Sequence, residues 1–204
     1  MDPTSTSLSE GVLSDEFAGE HFVDQRVGAT LKGASLEQCR LTRCDLSRGT
    51  LETTDLHECR LEACDLSNAR WVKARLSKSQ LHKCRGTGLQ LIDGNLSEVR
   101  FIGCKLNLAS VLGAKLRNCV LENCDLREAD FQQVVLTGVV LRNCDLRGAR
   151  FAGCQQTGLD LRGSALAGVL LEPTLLRKAT VDPSQLLDLA PLFDLRVQAV
   201  DADE

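Results

Sequence analysis

Residues 41–66 read LTRCDLSRGTLETTDLHECRLEACDL, and in this stretch Leu41, Leu46, Leu51, Leu56, Leu61 and Leu66 stand five apart. Two residues before each of them is something small: Cys39, Cys44, Gly49, Thr54, Cys59 and Cys64. Working outward, the five-residue series runs back to Leu31 and forward through Trp71, Leu76 and Leu81 to Leu171, Leu176 and Val181. Of its 31 positions only Gly86 and Gln156 are not large and apolar, and only Leu89 and Leu159 break the small position. The register does not slip between residues 31 and 181, so no projecting loop is expected there.

A period of five suits neither a helix, which repeats at 3.6, nor a flat strand, which repeats at 2.0. One large and one small inward residue per five fit a short extended step followed by a tight turn. Four such steps close a square, and the second period agrees: Cys44, Cys64, Cys84, Cys104, Cys124 and Cys144 recur every 20 residues. All ten cysteines occupy the small position, where chance would place about two of them, so a narrow interior explains them better than redox chemistry does. Sulfurs stacked in parallel coils do not reach disulfide geometry, so reduced, buried thiols are expected.

Close copies of one motif, Cys-Asp-Leu at 44–46, 64–66, 124–126 and 144–146 and Ala129-Asp130-Phe131, resemble the A(D/N)LXX consensus of the pentapeptide-repeat family. The resemblance covers about three quarters of the chain. It implies an all-β fold, a right-handed quadrilateral β-helix (pentapeptide-repeat solenoid), here with a short C-terminal helix. With strands spaced about 4.8 Å, nearly eight coils should form a rod about 37 Å long.

The last position of each pentad carries Gly or Asn mainly in the second half, so type II turns are expected late and other turns early. Pro173 and Pro183 conflict with a positive φ at that position, and the coil is expected to end between them. Residues 1–15 read as a disordered tail and 16–30 as an N-terminal cap or first coil. The β-helix spans 31–181, and a helix/strand segment follows at 182–204, which the family resemblance implies is for dimerisation. In that segment Asp182 caps a helix with Pro183 at its first position, and the helix runs to about Ala190, where Pro191 stops or kinks it. Phe193, Leu195, Val197 and Ala199 then alternate like a strand.

Aromatic residues make up 3% of the 204, with no Tyr and one Trp, too few to floor a catalytic pocket. Trp71 and Gly86 are read together, the glycine leaving room for the indole. His21, His57 and His82 fall in different settings with no nucleophile or carboxylate constellation around them, and Cys pairs five apart are not zinc spacing. No catalytic residue, metal or cofactor is expected. No run of 18 apolar residues and no signal peptide are present, which reads as a cytoplasmic protein without a membrane partner.

The outward columns are more informative. Asp45, Asp65, Asp125 and Asp145 form one, interrupted by Arg85 and Lys105, while Val72, Ile92 and Leu112 form an apolar one. Both are candidate partner-binding surfaces, because stacked exposed aliphatics mark contacts. Charge divides unevenly: six acids and one Arg at 1–30 give −5, the same at 182–204 gives −5, and 22 cations against 16 acids at 31–181 give +6, summing to the total of −4.

Within the family, the Qnr and MfpA groups act on DNA gyrase and topoisomerase IV and resemble B-DNA in width and charge. The resemblance therefore implies a non-enzymatic protein that binds a type II topoisomerase and confers resistance to its poisons. The tail from Ala179 resembles their dimerisation segment, implying a homodimer through Leu186, Leu187, Leu189, Leu192 and Phe193. A net-basic body fits poorly with DNA mimicry, which would rest on the Asp45/Asp65/Asp125/Asp145 stripe and the acidic ends. The alternative is a general interaction scaffold with an unrelated partner at Val72, Ile92 and Leu112. Direct nucleic-acid binding is disfavoured, since no aromatics are placed to stack on bases.

Overall fold

The computed structural model describes residues 16–26 and 30–198. The expected tail at 1–15 and the end of the chain from Ala199 lie outside the described residues. Short strands begin with β1 (Glu16–Ala18), β2 (His21–Val23) and β3 (Thr30–Lys32) and recur every five residues or so to Leu170–Leu171. Each three-residue strand turns its middle side chain inward, and these middles, apolar except for Gln156, make one continuous core. The strands stack in parallel into sheets of eight, seven and eight members. A fourth face is held by single bridges from Arg26↔Asp45 to Asp145↔Ala165. The result is a parallel β-solenoid of about eight turns with one short C-terminal helix.

Stacking supplies what no single coil can: each buried Leu contributes roughly 1.5–3 kcal/mol only once the next coil covers it. The first coil is one residue short, since β1 sets Phe17 opposite Leu36, 19 residues on. Phe17 and Phe22 meet edge to face with ring centroids 5.6 Å apart at the N-terminal end of the core.

The turns differ from the expectation. A left-handed residue stands at nearly every described corner, early as well as late: Arg43, Arg48, Glu58, Lys73, Lys78 and Lys83 all have φ between 47° and 57°. Turning the chain after three extended residues requires that conformation whatever the side chain, at a cost of about 1–2 kcal/mol per non-glycine residue. The ladder offsets it, because the corner N–H bonds to the next coil, as from Arg43 to Glu62 O at 2.8 Å and Lys73 to Ile92 O at 2.8 Å. Turn type follows the face instead. Only the bridge-held face adds a local closing bond at each coil, from Leu46 O to Gly49 N at 3.2 Å through Leu146 O to Ala149 N at 2.9 Å.

Both breaks in the repeat are compensated within their own pentad. Gly86 is followed three residues later by Leu89, which is 6% exposed, and Gln156 by Leu159, which is 1% exposed. A Cβ on Gly86 would lie 2.9 Å from Leu106 Cδ2 and 3.6 Å from Leu89 Cβ. The space beside Gly86 thus belongs to Leu89 and Leu106, not to the Trp71 indole as the sequence suggested.

Near the C-terminal end Pro173–Leu176 forms a 3-10 turn, and Leu175 rather than Leu176 enters the core. The carbonyls this turn leaves without a strand partner are met by Gln156: its Nε2 donates to Leu175 O at 2.9 Å and Arg177 O at 2.6 Å. Coiling continues to Thr180, bridged to Asp160.

A second glutamine closes the last coil. Gln185 is 4% exposed and donates to Leu161 O and Ser164 O at 2.7 and 2.6 Å, while its Oε1 accepts the Asp182 N–H. Helix α1 (Leu186–Leu189) follows, and Ala190–Phe193 continues as 3-10 helix through Pro191. Pro191 therefore changes the helix type rather than stopping the chain, because a first-turn position needs no N–H. The expected strand from Phe193 is not formed among the described residues: Phe193 is helical, 195–198 join no strand, and Leu195 N bonds to Ala190 O at 3.2 Å.

Candidate interaction surfaces

The interior offers little to a ligand. An apolar cavity of about 40 Å³ lies between Leu89, Val111 and Phe131. That is room for about one water, and with no polar wall it stays dry. All ten cysteines are free, nine of them buried. Their thiols donate to carbonyls of the coil before, as Cys124 does to Phe101 O at 3.4 Å. Burial pushes the Cys59 thiol up to about 11 and raises Cys119 as well. Among the described residues no group of three or more His, Cys, Asp or Glu is placed to hold a metal, and no helix is long and apolar enough to cross a membrane.

One constellation escaped the sequence reading. Stacking sets Ser77 Oγ 2.8 Å from His57 Nδ1, and Glu58 lies 3.5 Å from Nε2, a Ser–His–Glu row hidden by a 20-residue separation. The row lies on an outward sheet face, with His57 43% exposed. The neighbouring amides are spent in the ladder, Glu58 N on Ser77 O and Lys78 N on Ser97 O, so neither supplies an oxyanion donor.

The aspartate column stacks as the 20-residue period implies, with Asp45 against Asp65 and Asp125 against Asp145. Its carboxylates are engaged at home. Asp45 and Asp65 accept the N–H groups of Ser47 and Ser67 at 2.9 Å, which braces the turn. Asp125 and Asp145 take bidentate pairs from Arg127 and Arg147 at 2.6–2.8 Å. Those guanidinium bonds hold Asp125 and Asp145 below the usual carboxylate range, and the Ser47 hydroxyl does the same for Asp45. Arg26 and Arg85 pair with Asp45 and Asp65 at 3.7 and 3.3 Å. The column is thus a turn-bracing device whose charge is largely matched by arginine.

Val72, Ile92 and Leu112 are direct neighbours in one parallel ladder, with Leu112 37% exposed and the other two half-buried. At the C-terminal end Leu186, Leu187 and Phe193 are 58%, 64% and 50% exposed. Leu189, at 4%, and the half-buried Leu192 instead pack on the core of their own chain.

Comparison with known proteins agrees with this geometry. The model of a pentapeptide repeat region matches residues 54–131, and the model of pentapeptide repeats in eight copies matches 27–57, 124–163 and 133–172. The chain belongs to the pentapeptide-repeat family. Solved structures that align with the chain include full-length QnrB1, a plasmid-mediated fluoroquinolone resistance protein, at 18% identity and TM-score 0.48, covering 88% of this pentapeptide-repeat chain and 98% of that one. HetL, involved in heterocyst differentiation regulation in the cyanobacterium Nostoc, aligns at 21% identity and TM-score 0.34 over 83% and 86% of the two chains. A pentapeptide-repeat protein of the Arabidopsis thaliana thylakoid lumen aligns at 23% identity and TM-score 0.25 over 68% and 77%. No curated protein sequence matches the chain.

Proposed function

We propose that this pentapeptide-repeat protein is not an enzyme and acts by binding another protein, a type II topoisomerase such as DNA gyrase or topoisomerase IV, giving resistance to topoisomerase poisons. The observation that carries the binding role is the filled interior, which leaves the outward columns as the means of recognition. The choice of topoisomerase rests on the likeness of the repeat and tail to the Qnr and MfpA groups. A homodimer through Leu186, Leu187 and Phe193 fits their exposure. Supercoiling by purified gyrase, with and without a fluoroquinolone, tests the reading. Protection or inhibition supports it, and neither effect together with no binding overturns it.

A second reading, an interaction scaffold with an unrelated partner, is favoured by the arginine-matched aspartate column, which offers little free negative charge for DNA mimicry. Gyrase-independent capture of one partner, lost on Ile92→Glu, would select it.

A further inference from the structure

The ladder sets Val72, Ile92 and Leu112 in a line along the rod, one per coil and about 4.8 Å apart. At the other edge of the last of these strands stands Leu108, 54% exposed at φ +59°. It is the one large apolar residue among the left-handed corners of the described residues, a conformation unfavourable for a bulky side chain. The corner imposes that φ, and Leu108 N bonds to Arg127 O at 2.9 Å as other corners do; what sets Leu108 apart is a large aliphatic left exposed.

Charge frames the same line. Arg70 and Lys73 flank it, and Lys115 and Arg117 stand on the adjoining face beyond the Gly113 corner; all four are exposed. None of the four makes an ion pair among the described residues, while Arg75 beside them is paired with Asp55. Two acids lie beside the line: Glu52, the ladder neighbour of Val72 and paired with Lys32 at 3.4 Å, and Asp93, lying over Gly113. Unmatched positive charge around an aliphatic line is complementary to an acidic, apolar partner surface.

The backbone narrows the shape of that partner. The N–H and C=O groups of these strands are spent on neighbouring coils, as Arg70 N on Gly49 O and Lys73 N on Ile92 O, so no edge is open for an added strand. Recognition must be through side chains. A helix laid along the rod presents one apolar residue per turn of about 5.4 Å, drifting from the coils by about 1.2 Å over two steps. An extended segment repeats on one side at about 6.6 Å, drifting by about 3.6 Å.

We propose that the Val72–Ile92–Leu112 line, with Leu108, docks an acidic amphipathic helix of a partner protein along the rod axis. The proposal rests on the protein-binding reading above and is independent of the partner being a topoisomerase. The probe is a fluorescein-labelled helical peptide of about 18 residues, five turns, with one Leu per turn flanked by Glu. A control peptide carries Lys in place of Glu. Anisotropy against the full chain should give saturable binding of the acidic peptide, about tenfold or more tighter than the control. Ile92→Glu should lose about tenfold or more, and Arg40→Glu on another face should change little.

Trp71 fluorescence checks that each variant is folded. Should Ile92→Glu unfold, the pair Lys73→Glu and Lys115→Glu reads the same surface and should also abolish acidic selectivity. Absence of saturable binding, equal binding of the two peptides, or undiminished binding by a folded Ile92→Glu overturns the proposal. So does a dimer of the chain alone that Ile92→Glu dissolves, since the occupant is then a second copy. Failure here with gyrase activity intact leaves the functional reading standing, and the converse result leaves the docking line standing.

Discussion

Exchange of large and small residues within a pentad can be tested at Gly86 and Leu89. Leu89 is 6% exposed and lines the 40 Å³ cavity, so Leu89→Ala enlarges an existing void. It should cost about 3–4 kcal/mol, the middle of the usual range for such truncations. Gly86→Leu alone forces a Cβ to 2.9 Å from Leu106 Cδ2 and 3.6 Å from Leu89 Cβ. That overpacking should cost about 1–3 kcal/mol. The double variant restores the ordinary pattern, a large middle residue and a small one three later, and should lie within about 1 kcal/mol of wild type. The cycle then gives a coupling of roughly 3–7 kcal/mol, far above the few tenths expected of independent sites. Urea unfolding followed by the single Trp71, whose neighbour in the ladder is Leu91, reports on these coils. Additive costs would refute the account of how the repeat tolerates its own exceptions.

The void beside Val111 should be fillable, and Val111→Leu should raise stability by up to about 1 kcal/mol in the same assay. Gln156→Leu restores the repeat on paper yet removes three hydrogen bonds, so it should lower stability by about 1–2 kcal/mol despite added apolar surface. Gln185→Ala removes the donor to Ser164 O, leaves Leu161 O with the Ser164 N–H alone, and should cost about 1–3 kcal/mol, seen first as faster hydrogen exchange in the last coil. The Arg162 guanidinium beside Asp160, 14% exposed, holds that carboxyl far below the usual carboxylate range. A carboxylate depressed in the folded state stabilises above its unfolded value near 3.9 and loses that contribution as pH falls. Between pH 5 and pH 2, wild type should therefore lose stability more steeply than Asp160→Asn, measured by thermal unfolding at each pH.

The fold was legible because its signal is arithmetic. Leu41 to Leu66 at steps of five, and cysteines at steps of twenty, admit a four-sided coil and little else. What escaped depends on where a coil meets its neighbour. Arg43 and Lys73 have no preference for a positive φ, yet the corner imposes one because the ladder bond outweighs the strain. Leu175 displaced Leu176 because Pro173 converts the turn to 3-10 geometry, a local choice that periodicity does not encode. The pairing of each exception with its remedy, Gly86 with Leu89 and Gln156 with Leu159, could have been read from the sequence as exceptions three residues apart. The surfaces were legible as columns but not as chemistry. Asp45 and Asp125 share a column in the sequence, while the serine and arginine partners that occupy them emerge only from geometry. The His57–Ser77 contact likewise needed the stacking register.

The functional claim is met most directly by titrating the purified full-length chain against immobilised purified DNA gyrase and recording equilibrium binding. The account predicts saturable binding at micromolar or lower concentration, about −8 kcal/mol or better, with a matched effect on supercoiling at the same concentrations. No saturable binding to gyrase or topoisomerase IV at concentrations tenfold above about 1 µM would contradict it.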